Sequence, residues 1–284
     1  MKSNSYRIIL ILMVMSITLS SVSQERLDDW RKDITTYTSL SNAASENPEN
    51  VIKLSLFYEK IDNWESVCQY KKLEGLELID MFGENFPVCI LELVDLKFLS
   101  LRNNKLYNLP KEIVKLKNIE FLNLYWNENL KELPQELTNL TSIRYINIGG
   151  NPNMDWGSTF SLLSKLPNLK SIALSFNNIK ALPSEVGLLT QVEELIIDNN
   201  LMKNLPNEMS KMKNLKRIVL TNNSFTTMSK VIATLLNLEE IVISNTYEED
   251  HDKSLAGRYG HNRITDEDIL ALRKANPNLK VTMR

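Results

Sequence analysis

Glycine is scarce in this chain, with 8 in 284 residues, and none of them builds a glycine-rich phosphate loop. A His-Glu-x-x-His helix, a Cys-x-x-Cys pair and a serine or cysteine motif with a base nearby are also missing, so the usual hydrolase and redox signatures are absent. No enzymatic activity and no cofactor are expected. The two histidines, His251 and His261, both fall in one charged segment; His251 stands among Glu248, Glu249, Asp250 and Asp252. That is the one grouping with any metal-binding character, but a charged surface loop is ordinarily just solvated, and no metal ligand is assigned. The formal net charge is -2 with no basic stripe, which argues against nucleic acid. Beyond the first two dozen residues no apolar run approaches the roughly 20 residues a membrane-crossing helix needs.

What the chain has in abundance is recurrence. The pattern Leu-x-x-Leu-x-Leu-x-x-Asn-x-Leu-x-x-Leu-Pro returns with units starting at Val51, Leu73, Leu96, Ile119, Ile143, Leu169, Val192, Leu215 and Leu238, most of them 23 residues apart. A period of roughly 20 to 50 residues signals stacked supersecondary units. Leucine-type residues at alternate positions, as in Leu96, Leu99 and Leu101, place one face of a short strand inward. The asparagines Asn104, Asn127, Asn151, Asn177, Asn200 and Asn223 follow, where an amide can satisfy backbone groups left open as the chain turns out of the strand. Leu109-Pro110, Leu133-Pro134, Leu182-Pro183 and Leu205-Pro206 then leave strand geometry. Glu112, Glu136, Glu185 and Glu208, two residues on, suit the start of a short helical turn. All of these are structural columns.

The units LKFLSLRNNKLYNLPKEIVKL and VEELIIDNNLMKNLPNEMSKM resemble leucine-rich repeats of the Leu-Pro-x-Glu-Ile type, known from Ras-group plant proteins and from bacteria. The resemblance implies an α/β leucine-rich-repeat solenoid: a curved parallel sheet on the concave side, short helices or turns on the convex side, and a partner held on the concave face. It names no particular partner.

Four regions are expected. Residues 1–23 read as a signal peptide, with Lys2 and Arg7 flanking an apolar run from Ile8 to Leu19 and small residues after it, so the protein is expected to be exported, secreted or periplasmic. Residues 24–50 read as an N-terminal cap: an amphipathic helix from Glu25 to Thr36, then the convex half of a repeat whose strand is missing. Residues 51–246 form the array, with Glu59, Met81 and Thr246 replacing the asparagine in its terminal units. Residues 247–284 supply a loop and a cap whose helix runs from Thr265 to Ala275, with a last edge strand from Leu279 to Met283. The irregular unit at Ile143 is expected to carry a true helix from Ser158 to Lys165. Cys68 and Cys89 fall one column apart in neighbouring units, which leaves two readings open: a disulfide stapling the first coils, or two small buried thiols.

Function is left to residues that do not repeat. On the outward columns of the strands Phe98, Arg102, Phe121, Asn123, Tyr125, Trp126, Tyr145 and Phe176 form an aromatic strip, preceded by Phe57 and Tyr58, whereas later coils show Glu194, Asp198, Arg217 and Glu240. Aromatics are enriched in binding hot spots, so this strip is the expected site for a protein ligand. Stacking on a glycan is the alternative, with Asn123 and Asn147 reading hydroxyls.

Overall fold

The computed structural model describes residues 35–81, 86–228, 230–244 and 262–283. The proposed signal peptide, nearly all of the Glu25–Thr36 helix, and both histidines lie outside the described residues. The chain divides into two compact units, Met1–Thr36 and Tyr37–Arg284, and the repeats belong to the second.

An 11-stranded sheet runs in strict chain order. Its strands are β1 (Thr36–Tyr37), β2 (Lys53–Phe57), β3 (Gly75–Ile79), β4 (Phe98–Ser100), β5 (Phe121–Asn123), β6 (Tyr145–Asn147), β7 (Ser171–Ala173), β8 (Glu194–Ile196), β9 (Arg217–Val219), β10 (Glu240–Ile243) and β11 (Lys280–Met283). Every described pairing from β2 to β11 is parallel, and the register never slips. A slip of one residue would turn each core leucine to the opposite face. Leu54, Leu76, Leu99, Leu122, Ile146, Ile172, Leu195, Ile218 and Ile241 therefore form one fully buried row. The strand thought to be missing from the half-repeat of the N-terminal cap exists: β1 precedes the short helix α1 (Leu40–Ala43), capped by Ser39.

Return segments are mostly 3-10 turns, such as Lys111–Lys115, Gln135–Asn139, Ser184–Leu188 and Asn207–Lys211, each opened by its proline. True helices occur where the repeat departs from its consensus: α2 (Glu65–Cys68), α3 (Trp156–Leu163) and α4 (Asp266–Ala275). Asp155 caps α3, so that helix begins and ends two residues earlier than the expected Ser158 to Lys165. Thr265 and Asp268 make a reciprocal capping box on α4, as the sequence implies. Between α2 and the return of the next coil, Cys68 and Cys89 are joined as a disulfide with Cα atoms 6.0 Å apart. A loop of this length is worth about 3 kcal/mol by chain-entropy arguments.

The asparagine column closes the coils by hydrogen bonds. Asn127 Oδ1 accepts from the backbone N–H groups of Asn104 and Leu106, while its Nδ2 donates to the carbonyls of Leu101 and Leu124. Asn151, Asn177, Asn200 and Asn223 repeat the arrangement. At the N-terminal end the substitutes keep the chain of bonds intact: Met81 N–H donates to Asn104 Oδ1, Glu59 N–H to the Met81 sulfur, and Leu40 N–H to the Glu59 carboxylate. At the other end the seat expected at Thr246 is filled by Asn262, which accepts from Phe225 N–H and donates to the Leu220 carbonyl. The repeat frame thus resumes at Asn262 and the buried Ile264 after an insertion.

A second asparagine column, not anticipated, lies where each return segment enters its strand. Asn118, Asn168, Asn214 and Asn237 donate to the carbonyls of Val94, Thr141, Thr190 and Lys213 in the preceding coil. Its signal was present as Asn-Leu or Asn-Ile at the head of four of the nine units.

Candidate functional site

Exact register turns the outward residues of the sheet into continuous rows. The first row reads Lys53, Gly75, Phe98, Phe121, Tyr145, Ser171, Glu194, Arg217, Glu240, Lys280; the second reads Ser55, Glu77, Ser100, Asn123, Asn147, Ala173, Ile196, Val219, Val242, Thr282.

In the first row the rings of Phe98 and Phe121 stack with centroids 4.5 Å apart, and those of Phe121 and Tyr145 with centroids 4.3 Å apart, each pair tilted by 15°. Parallel in-register strands impose this, because adjacent coils are separated by roughly the thickness at which rings stack. The expectation of an exposed strip needs correction as a result. Phe98, Arg102, Asn123, Tyr125 and Tyr145 are buried, while Phe121, Trp126 and Phe176 are half-buried. Phe57 and Tyr58, at 43% and 41% exposure, are the open aromatics of the face. Burial of the outward residues follows from lateral packing: each ring covers its neighbour, and the polar second row lies between large side chains.

A second aromatic group forms at the carboxyl ends of the strands. Here each coil from β2 to β9 turns through a left-handed residue: Tyr58, Asp80, Asn103, Trp126, Gly150, Phe176, Asn199 and Asn222 all have φ between 52° and 68°. Asparagine, aspartate and glycine suit that conformation. Tyr58, Trp126 and Phe176 do not, and a bulky residue there costs roughly 1–2 kcal/mol. Strain of this kind persists where the surroundings impose it and is concentrated at functional positions. Trp126 and Phe176 come from coils on either side of Gly149-Gly150; their rings lie 6.1 Å apart and tilted 29°, and both meet Tyr125 edge-on. A Cβ on Gly149 would lie 2.9 Å from Cδ2 of Tyr125, and one on Gly150 would lie 3.3 Å from Cγ of Trp126. The double glycine makes the room in which the rings converge. Arg102 extends the group, its guanidinium 5.9 Å from the Tyr125 centroid. Burial, together with the Asp80 charge, raises the Tyr58 phenol and outweighs the opposing charge of Arg102.

The later coils exchange aromatic chemistry for charge. Arg217 bridges Glu194 and Glu240 at 2.9 and 2.8 Å, and Lys280 closes on Glu240 at 2.9 Å. Burial acts to raise the Glu240 carboxyl, but hydrogen bonds from Lys280, Arg217 and Thr282 prevail and hold it at about 2. Along the start of the strands Lys97 pairs with Glu74, Arg144 with Glu120, and Lys170 and Lys216 with Glu193. Along the described strands these opposite charges neutralise one another in pairs.

Nearer the strand ends Asp198 is 3% exposed and accepts hydrogen bonds from Ser175 and Asn199. Asn222 donates to Asn199 Oδ1, and Ser244 to Asn222 Oδ1, so one polar chain crosses from β7 to β10. Burial pushes the Asp198 carboxyl up to about 6, against the hydrogen bonds of Ser175 and Asn199 and the attraction of Arg217. Between the unfolded value of 3.8 and the folded value of about 6 the folded chain holds the extra proton, so this residue's contribution is greatest below pH 3.8 and falls as pH rises through 6. Urea unfolding at pH 4 and pH 7.5 should show the stability of wild type relative to Asp198→Asn dropping by about 2 kcal/mol across that window. A constant difference would refute the burial argument.

No family model matches the sequence, and no curated protein does. Solved structures do match. Internalin C2 from Listeria monocytogenes is similar at 21% identity and a TM-score of 0.57, over 72% of this chain and 90% of that one. The plant peptide hormone receptor RGFR1 in complex with RGF2 is similar at 19% identity and a TM-score of 0.51, over 88% of this chain and 46% of that one. Identities this low speak to architecture alone. Together with a single in-register parallel sheet and a continuous asparagine ladder, they establish that this chain folds as a leucine-rich-repeat solenoid.

Proposed function

We propose that the protein is an exported, non-enzymatic scaffold that binds a protein ligand on the sheet face, at the aromatic group around Trp126 and Phe176. The observation that carries this reading is the placement of Trp126 and Phe176 in left-handed turns where, Tyr58 apart, the other described coils use asparagine, aspartate or glycine. Side chains kept at a cost to the fold are accounted for by what they contact. The solved receptor with its bound peptide hormone supports a macromolecular ligand for this architecture. The Cys68–Cys89 disulfide supports export, since such bonds persist in oxidising compartments.

A glycan is the weaker candidate. Sugars stack on ring faces, and in Phe98, Phe121 and Tyr145 those faces are turned to each other, leaving ring edges toward a ligand. Edges suit aliphatic and aromatic side chains.

A photocrosslinking residue at position 103, in the same turn column, should capture the partner in the native setting. The purified partner is then titrated against Trp126→Asn and Phe176→Asn. Each variant should keep wild-type stability or gain up to about 1 kcal/mol from relief of backbone strain, while affinity falls at least about tenfold. Unchanged affinity in both variants overturns the assignment, as do glycan-array hits that disappear in Trp126→Asn.

A further inference from the structure

Between the two aromatic groups lies a pair of polar side chains whose hydrogen-bond donors the fold does not use. Ser100 and Asn123 face each other in register across β4 and β5, and both are 0% exposed. Asn123 spends its oxygen locally, accepting from Tyr125 N–H at 3.0 Å. Its Nδ2, like the Ser100 hydroxyl, has no hydrogen-bond partner. Asn147, the next residue of the row, accepts from Gly149 N–H in the same manner, but its amide nitrogen is not among the orphaned buried atoms. A buried donor without an acceptor costs about 1–3 kcal/mol, and here two stand side by side beneath rings that are otherwise well packed. Each is a hydrogen-bond donor, so one oxygen atom between them satisfies both.

We infer that Ser100 and Asn123 form the polar floor of a subsite for an extended apolar peptide, whose main-chain carbonyl oxygen accepts from Asn123 Nδ2 and from the Ser100 hydroxyl. Phe121, the half-buried member of the ring stack, stands two residues before Asn123 on the same face of β5, and in the proposed complex it turns aside to admit the carbonyl. An apolar side chain of the peptide then lies against the ring edges of Phe121 and Tyr125. A carbonyl is the fitting group because it offers two lone pairs and no hydrogen. The inference rests on the proposed function and adds to it the chemistry of the ligand at one position.

The test is selection of a phage-displayed random peptide library on the immobilised full chain, followed by titration of synthetic copies of the enriched peptides. Peptides carrying apolar side chains should be enriched. Asn123→Asp retains the oxygen that holds Tyr125 N–H but removes both amide hydrogens, and it should weaken these peptides about tenfold or more, the equivalent of one hydrogen bond to a buried donor. Ser100→Ala should weaken them severalfold while leaving the thermal midpoint unchanged or higher, so loss of folding cannot imitate loss of binding. Asn147→Asp should bind as wild type. If the peptides require Trp126 yet bind Asn123→Asp and Ser100→Ala normally, this inference fails and the proposed function stands. If no peptide is enriched, or the enriched ones ignore Ser100, Asn123 and Trp126 alike, this inference fails, and the proposed function is decided by the crosslinked partner's affinity for Trp126→Asn and Phe176→Asn.

Discussion

Asn127→Ala should lower the stability of the array by about 3 kcal/mol or more. The side chain is fully buried and makes four hydrogen bonds to backbone, accepting from Asn104 and Leu106 and donating to Leu101 and Leu124. Truncation leaves two amides and the Leu101 carbonyl without partners in a place water does not reach, while the Leu124 carbonyl keeps Asn151 Nδ2; each orphaned group costs about 1–3 kcal/mol. Asn127→Asp separates the two halves of the role: the acceptor bonds survive, the two donors are lost, and a charge is buried. It should be at least as damaging at neutral pH. Asn129→Ala, which removes one exposed bond to the Lys105 carbonyl, is the control and should change stability by less than about 0.5 kcal/mol. Urea midpoints of the three variants decide the matter; a shift for Asn127→Ala no larger than for Asn129→Ala would show that the ladder is decorative. Because a solenoid is stabilised repeat by repeat through neighbour contacts, the loss could also appear as a broadened transition.

The second large effect is expected at Gly149. A Cβ there would lie 2.6 Å from the backbone oxygen of Ser175 and 2.9 Å from Tyr125 Cδ2. The first contact is with a main-chain atom of β7's exit, which cannot turn aside, so Gly149→Val has to push two coils apart. Overpacking of this kind costs about 1–3 kcal/mol, and here it comes with the disruption of the edge-on contacts Tyr125 makes with Trp126 and Phe176. Loss of stability by about 3 kcal/mol should therefore be accompanied by a changed near-ultraviolet circular dichroism signal from the tryptophan. Gly150→Ala is the informative neighbour. Its φ of 68° penalises any L-residue, by roughly 1–2 kcal/mol, yet Trp126 and Phe176 bear that conformation in adjoining coils. If Gly149→Val folds with wild-type stability and spectrum, the double glycine is not what makes room for the rings.

Much of the architecture was legible in the chain because a repeat states its own rules many times over. The leucine row, the asparagine ladder, the prolines opening each return and the capping of α4 all follow from residue type and spacing. Where the ladder loses its asparagine the reading stopped short. Met81 and Glu59 still carry it by a sulfur and a carboxylate, and Asn262 takes its C-terminal seat from beyond an insertion. Spacing cannot reveal a substitution that keeps the bond while changing the atom. The second asparagine column was visible but went unread, since its residues are exposed and look like ordinary surface.

The candidate site shows the same division more sharply. Alternation along each strand was enough to put Phe98, Phe121, Tyr145 and the others on the outward face. Their exposure was not, because a period of two says which way a side chain points and nothing about what its neighbours in adjacent coils do. Stacking of Phe98 on Phe121 and Phe121 on Tyr145, the convergence of Trp126 and Phe176 over Gly149-Gly150, and the orphaned pair Ser100 and Asn123 all arise between coils. Sequence by itself determined that this chain is a stack of coils with apolar side chains inside and an aromatic sector outside, for those properties are local and repeated. Only tertiary structure decided which of the outward residues remain open to a ligand, because burial there depends on side chains 23 to 26 positions apart meeting across coils in register.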